Sequence, residues 1–223
     1  MRIIEVGPRD GLQNEKAVIP LATKVELTER LARTGLPVIE AASFVSPKWT
    51  PQMASSAEVT AHILARPPSS PDPVLYQFLC PNEKGMHNFL KVLDGALSAG
   101  KQDVPPLELS VFTAATESFT RANTNCSVAE SLARFRPVFA AARQRGLPVR
   151  AYVSVALGCP YEGPDVDPRA VADLAVSLLE MGAREIAVAD TTGMGTAPRA
   201  RALLRALGAA GVEPRDVALH FHD

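Results

Sequence analysis

Two short stretches hold residue types that could act together. Near the start stands Glu5-Val6-Gly7-Pro8-Arg9-Asp10-Gly11-Leu12-Gln13-Asn14-Glu15, and near the end Leu219-His220-Phe221-His222-Asp223. In the first, a cation beside a carboxylate, flanked by amides, suits a metal ion and a developing oxyanion. Taken alone, a solvated charged turn is the commoner origin of such a loop. In the second, two histidines two apart on a strand leave the same face and offer two neutral nitrogens to one divalent ion. Asp10 would add an oxygen ligand if the first and seventh strands meet at a common mouth. Asp10, His220 and His222 then suit octahedral Mg2+ or Mn2+, completed by water, substrate and one more protein ligand that the chain does not obviously offer.

Other groups could join them. Asp190 opens Asp190-Thr191-Thr192-Gly193-Met194-Gly195-Thr196. It reads equally as a base and as a helix cap or Asx-turn. Glu40 lies inside the apolar run Val38–Ala42. A carboxylate there is costly unless paired, and Arg9 is its natural partner. Trp49, the only tryptophan, is explained most simply by core packing. Cys159 has no base near it in sequence and reads as a structural thiol.

These residues need elements to carry them. Apolar strand candidates are Arg2–Val6, Val38–Ala42, Val74–Cys80, Leu107–Thr113, Val149–Val155, Glu185–Asp190 and Val217–His222. The first should break at Gly7-Pro8, where helix is disfavoured. Helical patterns fall between them, at about Leu21–Thr34, Gln52–Ala65, Glu83–Ala99, Val128–Arg145, Pro168–Met181 and Ala197–Ala210. The first helix repeats Leu21, Val25, Leu27 and Leu31. Glycine closes most of these patterns, and Ser127 with Glu130 makes a capping box. Strands alternating with helices imply parallel βαβ units. No Gly-x-Gly-x-x-Gly follows the first strand, and polar residues gather after strand upon strand. A (β/α)8 TIM barrel is therefore favoured over a doubly wound sheet. It is incomplete: seven strands and six helices are expected, with the last strand and two helices missing. Residues 1–223 read as a single catalytic domain, and as a natural short form, a fragment or an incomplete gene model.

The totals fit this. The 223 residues are 47% hydrophobic and 21% charged, with formal net charge −1. Nothing argues for nucleic acid. Three scattered cysteines argue against a disulfide framework and for a reducing compartment. No apolar run reaches the roughly 20 residues of a membrane helix, and no targeting segment is read.

The opening stretch resembles the signature of 3-hydroxy-3-methylglutaryl-CoA lyase. So do Glu40-Ala41-Ala42-Ser43-Phe44-Val45-Ser46-Pro47-Lys48-Trp49, Glu117-Ser118-Phe119-Thr120, Ala156-Leu157-Gly158-Cys159-Pro160-Tyr161-Glu162-Gly163, Asp190-Thr191-Thr192-Gly193 and His220-Phe221-His222-Asp223. The resemblance implies a metal-dependent TIM-barrel lyase that cleaves its acyl-CoA to acetyl-CoA and acetoacetate, in leucine degradation and ketone-body formation. Asp10, His220 and His222 would bind Mg2+ or Mn2+. Arg9 would stabilise the enolate oxygen, and Glu40 would hold Arg9 and a water on the ion. Asp190 would take part in removing the hydroxyl proton, and Gln13 would orient the substrate. The family also places a cysteine on a glycine-rich loop after strand seven and an asparagine near strand eight. Residues 1–223 hold neither, so this chain alone is expected to bind metal weakly and turn over poorly or not at all. An acyl-CoA is the expected partner, without nucleic acid or membrane; a homodimer is the assembly entertained. The location would be the mitochondrial matrix, given a presequence, or otherwise the cytoplasm. Two alternatives are a sibling acyl-CoA lyase or synthase, and a non-catalytic interaction subunit.

Overall fold

In a computed structural model, residues 2–101 and 103–222 are described. Asp223 of the terminal motif lies outside them. The strands are β1 (Ile4–Glu5), β2 (Val38–Ser43), β3 (Leu75–Leu79), β4 (Leu107–Ala114), β5 (Val149–Ser154), β6 (Glu185–Asp190) and β7 (Val217–Phe221). They follow one another in sequence order in one sheet. The β1/β2, β2/β3, β5/β6 and β6/β7 pairings are parallel. The helices are α1 (Leu21–Ala32), α2 (Ser56–Ala65), α3 (Glu83–Ser98), α4 (Glu117–Thr124), α5 (Val128–Gln144), α6 (Pro168–Glu180) and α7 (Ala197–Ala209). This is the α/β succession of a (β/α)8 barrel, of which seven strands are present. The chain divides within β4 into two compact units, residues 1–109 and 110–223.

Local chemistry explains most element ends. Ser127 and Glu130 close the expected capping box on α5, at 3.1 and 2.7 Å. Gly146 and Gly182 follow α5 and α6 with φ of 64° and 108°, a region that side chains disfavour.

The sequence reading differs from the structure at four places. First, there are seven α-helices rather than six among the described residues. The extra one, α4, has polar sequence and stops at Asn125, a left-handed residue that asparagine tolerates. Second, Gly7–Gly11 forms a helical turn rather than a plain break. Pro8 sits at its start, where no intrahelical N–H is needed. Third, α1 buries Lys24, Thr28 and Ala32, while Leu21 is exposed. Its buried stripe carries polar groups because the Lys24 ammonium bonds the Gln52 carbonyl and, at 2.9 Å, the Ser55 hydroxyl. Fourth, Trp49 is 75% exposed and does not pack in the core. Its turn, closed by the Trp49 and Thr50 amides on the Ser46 carbonyl, holds it outside.

The first unit packs Phe44, Phe78 and Phe89 edge-on or tilted, with ring centroids 5.3–6.5 Å apart. All six β2 residues are buried. In the second unit Ile186, Ala187 and Val188 of β6 lie between β5 and β7, fully or almost fully enclosed.

Candidate active site

In the first unit the helical turn after β1 delivers Arg9 and Asp10. Both their amides bond the Val6 carbonyl, at 3.1 and 2.7 Å. The Arg9 guanidinium reaches Glu40 Oε2 through Nε and a terminal nitrogen, each at 2.6 Å. Its other terminal nitrogen meets Asp10 Oδ1 at 2.6 Å. Glu40 is wholly enclosed, Arg9 nearly so, and Asp10 retains a fifth of its surface. The expected Arg9–Glu40 pair is therefore formed. A single guanidinium faces two carboxyl groups, a donor set that leaves room for further positive charge. Asn14 Nδ2 donates to the Asp10 carbonyl at 3.1 Å. Gln13 lies just beyond the turn, half-buried.

Two residues that the sequence did not single out tie this loop down. Gln52 Nε2 donates to the Glu15 carbonyl at 2.7 Å, and Lys24 holds the Gln52 carbonyl in turn. Burial pushes the Lys24 pKa below its usual value, against the opposing pull of Glu58. Lysine inside the α1 stripe was the available signal. On β2, Ser43 is fully enclosed, and its hydroxyl has no hydrogen-bond partner among the described residues.

In the second unit β7 carries His220, and His222 follows its last residue. Their ring centroids are 4.6 Å apart, and β-strand alternation puts both on one face. His220 is half-buried and His222 exposed. His222 Nδ1 lies 3.0 Å from the Asp190 carbonyl. With the proton on Nδ1, that contact fixes the tautomer and leaves the lone pair on Nε2, the usual preparation of a metal-binding imidazole. The histidine pair thus fits a divalent cation.

Asp190 is buried at the end of β6, and its Oδ1 accepts from the Gly195 amide at 3.0 Å. A Cβ on Gly195 would stand 2.5 Å from Asp190 Oδ2, so only glycine lets the loop close over this carboxylate. Nearby, Cys159 is fully buried, with its sulfur 3.2 Å from the Thr116 hydroxyl. Burial works to raise its pKa. Hydrogen bonds from Thr116, the Tyr161 and Glu162 amides and Ser118 outweigh that and hold it below the ordinary thiol value. Arg150 and Tyr152, on β5, are buried too and were not singled out. A charge inside an apolar strand, the signal used for Glu40, would have found Arg150.

Comparison with known proteins identifies the family. The HMGL-like family model matches residues 1–223. The chain is 50% identical to the 3-hydroxy-3-isohexenylglutaryl-CoA/hydroxymethylglutaryl-CoA lyase of Pseudomonas aeruginosa, covering all of this chain and 68% of that protein. It is 46% identical to the mitochondrial hydroxymethylglutaryl-CoA lyase of Rattus norvegicus, over all of this chain and 63% of that one. The crystal structure of a P. aeruginosa hydroxymethylglutaryl-CoA lyase superposes with a TM-score of 0.83 at 49% identity, again over the whole chain and 68% of the relative. An HMG-CoA lyase of Acinetobacter baumannii, solved with coenzyme A and 3-methylmalate, gives 0.82 at 31%, over 99% of this chain and 66% of that one. The chain thus spans roughly two thirds of the length of these relatives. No helix among the described residues is long and apolar enough to cross a membrane. By sequence over its full length and by fold, the chain belongs to the HMGL-like family and is a homologue of the HMG-CoA lyases, which are carbon–carbon lyases.

Proposed function

We propose that this chain carries the working centre of a lyase that cleaves 3-hydroxy-3-methylglutaryl-CoA to acetyl-CoA and acetoacetate. The observation that carries the reading is the Arg9–Glu40 pair, buried at the end of the first strand in a chain homologous to these lyases. Asp10, His220 and His222 would hold one divalent cation, Mg2+ or Mn2+, as parts of a single catalytic domain. Such an ion, when bound, polarises the tertiary hydroxyl of the substrate and lowers its pKa.

The chain's own groups do the rest. Asp190, steadied by the Gly195 amide, takes part in removing the hydroxyl proton. The carbon–carbon bond next to that carbinol breaks, and its electron pair moves onto the thioester. Acetoacetate leaves, and the remaining enolate takes up one proton to become acetyl-CoA. Arg9 meets the enolate oxygen, while Glu40 keeps the guanidinium from turning away. Gln13 orients the acyl group. Coenzyme A enters as part of the substrate, as the ligand of the A. baumannii relative suggests.

The test is incubation with the thioester and Mn2+, with both products quantified. Whatever acetyl-CoA and acetoacetate the chain makes should form in equal amounts, only with the metal, and not in Arg9→Met. Absence of metal-dependent product together with absence of metal-dependent thioester binding would overturn the reading. A second substrate has support in the P. aeruginosa relative, whose name includes the isohexenylglutaryl thioester. Running both thioesters side by side separates the two.

A further inference from the structure

Strand β7 is poorly covered: Leu219 and Phe221 are 43% and 54% exposed. An imidazole on such a strand needs something to stop its ring turning. For His222 that is the Asp190 carbonyl. For His220 the answer lies two strands away.

The register aligns Arg150 with Glu185, Tyr152 with Ala187 and Ala218, and Ala189 with His220. Tyr152 and His220 therefore share a face of the sheet, one step apart and separated by the width of β6. Ala187 and Ala218 are the small residues between them. Two strand spacings amount to roughly 10 Å, yet the ring centroids of Tyr152 and His220 are 6.4 Å apart, at 66°. The phenol ring crosses Ala187 to reach the imidazole, and a longer side chain there would obstruct it.

The far side of the column is equally built. The Arg150 guanidinium carbon stands 5.1 Å from the Tyr152 ring centroid, and Arg150 Nη1 is 3.1 Å from Glu185 Oε1. Arg150 and Tyr152 are only 3% and 4% exposed. A charge so deeply enclosed is retained at a desolvation cost, which its carboxylate and the ring face offset. Nothing in the cleavage chemistry uses these three residues directly.

We propose that Tyr152, seated on the Arg150–Glu185 pair, is a positioning residue that sets the His220 ring for a divalent cation. The inference rests on the metal-binding reading above. Partners behind a metal ligand typically change affinity by about 10–100-fold when removed. The ring-to-ring contact is the feature that would hold the imidazole.

The experiment compares wild type, Tyr152→Phe and Tyr152→Leu by Mn2+ titration with EPR detection, and by NMR of the histidine rings in metal-free protein. Tyr152→Phe should bind Mn2+ within about twofold of wild type, and Tyr152→Leu at least tenfold more weakly. The His220 ring signals should show one fixed rotamer in the first two proteins and averaging in the third. Wild-type affinity and a fixed ring in folded Tyr152→Leu would overturn the proposal. If that variant fails to fold, Arg150→Lys decides, because it keeps the charge and gives up the flat cationic face. Weakening of threefold or more supports the proposal, and no change overturns it. No Mn2+ uptake by wild type would instead sink the metal-binding reading, and the metal-free NMR comparison would still decide whether Tyr152 fixes the ring.

Discussion

The Arg9–Asp10–Glu40 cluster and the His220–His222 pair are built on opposite terms. The first is anchored by Glu40 on β2, where every residue is buried, and its charges are already matched at 2.6 Å. The second sits on β7, where no residue is fully buried, and its rings depend on neighbours for orientation. Charge is therefore pre-set where water is excluded, and the imidazoles stand where solvent reaches them. Substitutions in the first should damage the fold and the chemistry together. Substitutions in the second should separate them.

Glu40→Ala is the harshest test of that contrast. It leaves the Arg9 guanidinium buried without its main partner, at a cost of about 3–5 kcal/mol. Urea unfolding should show a lower midpoint at an unchanged slope. Gly195→Ala comes next, since its new Cβ would collide with Asp190 Oδ2 and press Leu157 Cδ1 at 3.1 Å. Overpacking of this kind costs about 1–3 kcal/mol, with loss of turnover expected alongside. His222→Ala should lie at the other pole: about 1 kcal/mol or less of stability, from one lost hydrogen bond, but Mn2+ uptake abolished. Equal damage to stability from His222→Ala and Glu40→Ala would erase the contrast.

The smallest effect belongs to Tyr76, buried on β3 with a hydroxyl that lacks a hydrogen-bond partner among the described residues. Tyr76→Phe should be neutral to within about 1 kcal/mol or mildly stabilising. Burial pushes the phenol pKa up to about 12 from its ordinary 10.0. The unfolded chain releases that proton first. The stability tied to the neutral phenol is complete below pH 10 and is lost as pH climbs through about 12. Comparing alkaline unfolding of wild type and Tyr76→Phe isolates it; superimposable curves would contradict the shift.

Much of the fold was legible because it is written locally. Apolar runs mark the strands, and β6 falls at the expected residues, Glu185–Asp190. Ser127 and Glu130 announce the start of α5 by their own side chains. Glu40 was legible as paired because a carboxylate in an apolar run requires a partner, and the parity of His220 and His222 follows from strand geometry alone. What escaped depends on distant partners. The α1 stripe turns on Gln52 and Ser55, which receive Lys24, and no helical periodicity of apolar residues encodes that. Trp49 lies outside because a turn closes on Ser46, which a count of aromatic residues cannot register. Arg150 was detectable as a charge inside an apolar strand, but Tyr152 gains meaning only from the register of three strands.

The decisive measurement is anomalous diffraction from crystals grown with Mn2+. One peak is expected, at roughly 2.0–2.3 Å from an Asp10 carboxylate oxygen and from one nitrogen each of His220 and His222. A peak bound by the imidazoles without Asp10, or no peak at all from protein saturated with the ion, would contradict it.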